Sequence, residues 1–203
     1  MYLPLLYKNP KKRKIDFLPT IKLRGEKLDV VEKMHLVGLV VNEDLTWKDN
    51  TDSITTRAYK KLWILRRLKN MGAEKSTLRV VYFRHIRSIL EFAVPVWNGA
   101  ITLKEVKKLE RVQKVALTII YGSEQSYKKK CKNFKIENLV QRRKKLCLKF
   151  AKKALMHDKF KNWFLKSDTV GSKTNYLETL SRQKKLKKSP ISYLTQLLNK
   201  NNH

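Results

Sequence analysis

The stretch Ile54-Thr-Thr-Arg-Ala58-Tyr-Lys-Lys-Leu62-Trp-Ile-Leu65-Arg-Arg-Leu68-Lys69 decides the fold class. Its apolar residues recur at steps of four and three, which places Ile54, Ala58, Leu62, Leu65 and Leu68 on one face of a helix. Arg57, Lys60, Lys61, Arg66, Arg67 and Lys69 fall on the other faces. Met71-Gly72 closes the helix in the manner of a glycine C-cap. Downstream the period persists. Leu78, Val81, Tyr82, Ile86, Ile89 and Leu90 define a second helix that stops ahead of Pro95. Thr102-Leu-Lys-Glu105 is a capping box, in which hydroxyl and carboxylate satisfy each other's backbone donors. It opens a third helix through Val106, Leu109, Gln113, Ala116 and Ile120, closed by Tyr121-Gly122. A fourth runs from about Glu137 to His157, with Leu139, Leu146, Phe150 and Leu155 inside and Cys147 as a buried small hydrophobe. Its outer face carries Arg142, Arg143, Lys144, Lys149, Lys152 and Lys153. Short antiparallel helices of this kind make a bundle.

Upstream the pattern is strand-like. Ile21-Lys-Leu23 and Lys27-Leu-Asp-Val-Val31 flank Arg24-Gly25-Glu26, a tight hairpin signal. Leu36-Val-Gly-Leu-Val-Val41 is apolar without alternation, which predicts one buried strand with a bulge or close backbone approach at Gly38. The expected architecture is therefore mainly α: a helical bundle preceded by a small β-hairpin and strand and followed by a basic helical tail. The segments are 1–48, 49–122 and 123–203, with a loose tail beyond Ser167 and a weak final helix around Ile191 to Leu198.

The composition narrows the class. The 203 residues include 47 Lys+Arg against 17 Asp+Glu, a net charge of +30, with 42 % hydrophobic residues. That is enough apolar material for a core, and the charge calls for a polyanionic partner. Net charge rises along the chain, +4 over 1–48, +9 over 49–122 and +17 over 123–203. Runs such as Lys128-Lys-Lys130 and Lys184-Lys185-Leu-Lys187-Lys188 read as solvated, phosphate-seeking blocks. Two cysteines, Cys131 and Cys147, exclude a disulfide scaffold and fit a reducing, intracellular setting. The opening apolar run precedes the charges of Lys11 to Lys14, the reverse of a signal peptide. Ile86 to Val96 is cut by Arg87, Glu91 and Pro95, so no membrane span is expected.

Catalytic chemistry is scarce. Two-metal phosphoryl transfer needs carboxylates converging from separate elements. The chain has no Asp-Asp pair, and Glu43-Asp44 lies at a turn. Asp49 and Asp52 suit the positive end of the first helix. The four histidines and two cysteines have no metal-ligand spacing, and no glycine-rich loop cradles a phosphate.

Several strings nevertheless carry a family likeness. Leu36-Val-Gly-Leu-Val-Val-Asn-Glu-Asp-Leu-Thr-Trp47 resembles the "LG…D…LxW" segment of non-LTR retrotransposon reverse transcriptases, the jockey-like and related LINE-type elements. Arg66-Arg-Leu-Lys69 ends the next helix as in that family. Leu90-Glu-Phe-Ala-Val-Pro-Val-Trp97 is similar to its "LEYAxPVW" stretch. Leu109-Glu-Arg-Val-Gln-Lys-Val-Ala-Leu-Thr-Ile-Ile-Tyr-Gly122 resembles its "LExxQxxxLxxIxG" helix, and Arg142-Arg-Lys-Lys-Leu-Cys-Leu-Lys-Phe150 its "RRxxLxLxF" helix. The likeness covers residues 9–165, in the family's order.

The resemblance implies the end of a palm, a primer-gripping hairpin, a helical thumb and a following region of an RNA-directed DNA polymerase. Leu36, Val37 and Gly38 would stand at the primer grip. Lys12 matches the family's lysine just past the active site, where Arg13 replaces its usual threonine. The family's catalytic aspartates, its fingers and its endonuclease domain have no counterpart here, so the expectation is a C-terminal fragment. The Mg²⁺ of the intact enzyme has no ligands in this chain, and no other cofactor is expected. The implied partners are a template–primer RNA–DNA hybrid or duplex, held without sequence preference, and the palm and fingers portion of the polymerase; the implied location is nuclear. Backbone binding of this sort needs Lys and Arg and no base-edge code. The residues expected to supply it are Lys12, Arg66, Arg67, Lys69, Arg142, Arg143, Lys149 and Lys153. Trp47, Trp63 and Trp97 read as packing residues. The rival reading is a self-contained basic nucleic-acid-binding protein unrelated to polymerases. Without paired carboxylates, the purified chain is expected to show no template-directed primer extension with Mg²⁺ or Mn²⁺. Incorporation that persists after contaminating polymerases are removed overturns that expectation.

Overall fold

A computed structural model describes residues 21–167, 175–178 and 184–201. The chain divides into two compact units, Met1–Ser53 and Ile54–His203. The architecture is mainly α with small N-terminal hairpins.

In the first unit, β1 (Lys22–Leu23) pairs with β2 (Glu26–Lys27) across Arg24 and Gly25, both at positive φ (52° and 87°). Two such residues make the mirror-image turn that suits the right-handed twist of a hairpin. A second hairpin joins β3 (Lys33–Leu36) to β4 (Leu39–Asn42). It forms its own two-stranded sheet, and its turn is Val37-Gly38 at φ 47° and 81°. The single strand expected over Leu36 to Val41 is thus two strands, and Gly38, expected to mark a bulge or a close backbone approach, stands in the turn between them. The sequence disguises it because a β-branched residue rarely accepts positive φ. Leu39 and Val40 are buried, and the buried Asn50 side chain accepts the Val40 N–H at 3.2 Å. Asn42 accepts the Thr46 N–H at 2.9 Å and donates to Asp49 at 3.0 Å, fixing the entry to the first helix.

That helix, α1 (Lys48–Asn70), buries Ile54, Ala58, Leu62 and Leu65 of the stripe read from its period, with Leu68 half-buried at its end. Gly72, at φ 82°, follows it as the expected cap. The next helix is not uniform. α2 (Lys75–Val81) runs through a π segment, Tyr82–Arg87, into α3 (Ser88–Glu91). Leu78, Tyr82, Ile86 and Leu90 are buried at an unbroken spacing of four. In a regular α-helix, at about 100° per residue, three such steps drift by about 120°. The wider π turn absorbs that drift and keeps all four on one face. Ala93, at φ 49°, then breaks the path, and α4 (Val94–Trp97) begins. Pro95 therefore stands in the first turn of a helix, where its missing N–H is harmless. Trp97 is fully buried and donates its indole N–H to the Phe92 carbonyl at 2.9 Å.

α5 (Leu103–Tyr121) opens with the capping box read from Thr102 and Glu105 and closes at Gly122. α6 (Tyr127–Asn133) is a helix where only a solvated lysine run was expected, and Lys130 within it is buried. Phe134 stacks on Tyr121, ring centroids 3.5 Å apart, and pins the end of α6 to the end of α5. α7 (Leu139–Leu155) buries Leu139, Arg143, Cys147, Ala151 and Ala154. Leu146 is only half-buried and Phe150 is exposed, so the helix is rotated from the expected phase. The small residues on its inner face let other helices approach closely.

One of these is α9 (Pro190–Asn201), which packs on α7 and α4. The loose tail expected beyond Ser167 thus ends in a docked helix with Leu194 and Leu198 in the core; the short α8 (Lys184–Lys187) precedes it. Asn199 ties it further, exchanging hydrogen bonds with the Tyr176 backbone at 3.0 and 3.1 Å. Among the described residues no helix is long and apolar enough to cross a membrane.

Backbone proximity at Gly99 sets the α9 contact. A Cβ built there would lie 2.5 Å from Tyr193 Cβ and 2.6 Å from its Cγ. Gly99→Ala is expected to push α9 away and cost about 1–3 kcal/mol. Urea denaturation together with proteolysis of residues 190–201 measures this; unchanged stability and protection would show that α9 docks loosely.

Candidate nucleic-acid interface

The buried face of α5 determines what its outer face presents. Leu109, Val112, Ala116, Leu117 and Ile120 fill the core, which leaves Lys107, Arg111 and Lys114 outward along the opposite side. Gln113 locks that rotation. It is fully buried, accepts the Tyr82 hydroxyl at 2.5 Å, and donates to Tyr127 at 2.8 Å and to the Glu137 carbonyl at 3.0 Å. Burial raises the Tyr82 phenol above its ordinary pKa, so the hydroxyl stays a donor. Burial and the bond it donates to Glu110 do the same for Tyr127.

These elements frame a groove of about 820 Å³. Arg66 from α1, Lys107, Arg111 and Lys114 from α5 and Tyr127 from α6 line it, with Thr118 and one carboxylate, Glu110. Glu110 also has a structural task, since the same oxygen accepts Tyr127 and the Leu139 N–H at the start of α7 at 3.2 Å. Lys130 of α6 reaches Thr118 of this lining. Its ammonium donates to Thr118 Oγ1 at 3.1 Å, and burial, then the neighbouring charge of Lys114, lower its pKa. Four cations against one carboxylate make the groove electropositive.

The residues expected from the sequence meet different fates. Arg66 enters the groove; Lys107, Arg111 and Lys114 were missed, although their i, i+4, i+7 spacing was legible as one helical face. Arg67 and Lys69 are exposed at the end of α1, and Lys149 and Lys153 are exposed on α7. Arg142 is half-exposed and pairs with Glu91 at 3.2 Å. Glu91 also accepts from the buried Arg87 at 2.6 Å, so one carboxylate holds two guanidinium groups. Leu36 and Val37 are exposed at the tip of the second hairpin with Gly38. Lys12 lies outside the described residues.

Arg143 is the clear correction. It is 1 % exposed, not on the outer face of α7. Its Nε donates to Asn98 Oδ1 at 2.9 Å, its guanidinium lies 6.0 Å from the Trp97 ring centroid, and Nη1 has no partner among the described residues. Asn98 in turn donates to the Tyr193 hydroxyl at 2.9 Å. Burial lowers the Arg143 pKa, and burial pushes the neighbouring Cys147 thiol up to about 12. The arginine fits the core because its long stem packs like an aliphatic chain.

Among the described residues no three His, Cys, Asp or Glu side chains converge on a point. Comparison of the chain with protein-family models, curated proteins and solved structures returned no match.

Volume should matter more than charge at position 143. Arg143→Ala is expected to cost about 2–5 kcal/mol through the cavity it opens. Arg143→Met, of similar length, should retain most of that stability and leave nucleic-acid affinity unchanged. Chemical denaturation of both variants decides; a methionine variant as unstable as the alanine one would show that the guanidinium bonds hold the site.

Proposed function

We propose that this chain grips the sugar-phosphate backbone of a duplex or RNA–DNA hybrid without reading its sequence, as the thumb-side, C-terminal portion of a non-LTR retrotransposon reverse transcriptase. The observation that carries the backbone grip is the groove in which Arg66, Lys107, Arg111 and Lys114 face a single, structurally engaged carboxylate. Three of these cations recur on one helix at the spacing of successive turns, so they run as a track along it. A track of lysine and arginine neutralises phosphates and offers nothing that discriminates base edges. The polymerase lineage rests on the ordered strings between residues 9 and 165. Within that reading, the helices from α1 to α5 are the thumb, and the hairpin tip at Leu36 to Gly38 is the primer grip. Lys149 and Lys153, on a separate helix, extend the basic surface.

Salt tests the grip directly. Engaging some six to ten phosphates loses about 10³ to 10⁵ in affinity between roughly 50 and 200 mM salt. The exposed triple variant Lys107→Ala/Arg111→Ala/Lys114→Ala should lower the log–log salt slope by about 2.7 units, at about 0.9 per phosphate. The drop should be the same on hybrids of unrelated sequence, with helicity unchanged by circular dichroism. A variant slope equal to that of the wild type removes the groove from the interface.

A further inference from the structure

Trp63 reads as a packing residue, yet it is 61 % exposed. One helical turn before it on α1, Tyr59 is also exposed; one turn after it, the Arg67 guanidinium lies 5.9 Å from the indole centroid. Positions 59, 63 and 67 are successive i, i+4 neighbours and form one outward stripe. The stretch 53–73 around them holds six cations, Arg57, Lys60, Lys61, Arg66, Arg67 and Lys69, and no acidic residue. A solvent-facing indole in such a field is suited to a partner that is both flat and anionic.

We propose that Tyr59, Trp63 and Arg67 form a stacking platform for unpaired bases of a single-stranded nucleic acid. The proposal rests on the backbone grip described above and extends it to a second kind of contact. Every base has a π face, so stacking on an indole adds affinity without adding sequence preference. The surrounding cations neutralise the phosphates of the same strand. Arg66, three residues beyond Trp63 and so on the adjoining part of the helix, lines the groove. A strand leaving the groove at Arg66 passes the platform next. The occupant is therefore the unpaired continuation of the gripped duplex; a protein surface that mates with this stripe would need acids to match six cations.

The test compares two labelled oligonucleotides of about 12 nucleotides, within the site sizes usual for single-strand binders. One carries thymine throughout and the other is abasic, so both present the same phosphates. The full chain is expected to bind the thymine strand about five- to 150-fold tighter than the abasic one, from stacking of one base. Trp63→Ala should abolish that ratio while leaving affinity for the abasic strand and its salt slope unchanged; Trp63→Phe should keep most of the ratio. Equal wild-type binding of the two strands overturns the platform and needs no variant to be interpreted. A Trp63→Ala variant that weakens both strands alike, or that only dissolves a self-associated form by sedimentation, also overturns it. Failure to bind either strand or a duplex sinks the backbone grip itself, a different result from equal binding of both strands.

Discussion

Gln113 is the constraint on which the helical unit turns. A fully buried primary amide in the middle of a helix is tolerable only when its donors and its acceptor are satisfied inside the protein. Tyr82, Tyr127 and the Glu137 carbonyl meet that demand from three other parts of the chain. The network therefore fixes α5 in rotation as well as in position, a specificity that apolar packing alone supplies less sharply. Lys107, Arg111 and Lys114 face outward as a consequence of where Gln113 faces inward. Glu110 extends the same network to the Leu139 N–H that opens α7, where a carboxylate is also favoured by the helix dipole.

A chain of net charge +30 must keep most of its cations in water, and most are exposed. Three are not. Arg87 is compensated by Glu91 and by the face of Phe83, 5.2 Å from its guanidinium. Among the described residues Lys130 and Arg143 hydrogen-bond to neutral oxygens, and burial lowers the pKa of both, with Glu110 and Glu91 offsetting part of that for Arg143. Buried charge without a counter-charge is a liability to stability. Lys130 sits on α6 against Thr118 of α5, and Arg143 on α7 against Asn98.

Much of the fold was legible because its signals are local. The Thr102–Glu105 box, the glycines at 72 and 122, the Arg24-Gly25 turn and the α1 stripe each depend on a few neighbouring residues, and each is where the sequence places it. The misreadings have a common cause in contacts that no local pattern encodes. Val37 is held at positive φ by the pairing of β3 with β4. The phase of α7 is set by α9, whose approach favours Cys147, Ala151 and Ala154 over the larger Leu146 and Phe150. Lys130 was assigned to water because lysine usually is. The groove was half legible: Arg66 stood out within a basic cluster, whereas the α5 track alternates with core residues and shows only when its helical face is projected. Trp63 is not in the core although it directly follows Leu62, since adjacent residues on a helix point about 100° apart.

The π segment between Tyr82 and Arg87 has a consequence for how this chain tolerates change in length. A π turn carries one residue more than the α turn it replaces. Deleting one residue there leaves a plain α-helix in which Leu78 and Leu90 are eleven positions apart, about 20° from alignment at about 100° per residue. The core face survives the loss. The same deletion near the middle of α5 swings everything beyond it by about 100°, carrying Leu117 and Ile120 out of the core they fill. Length variation among descendants of this sequence is therefore admissible within the helix at residues 82–87 and barred from α5.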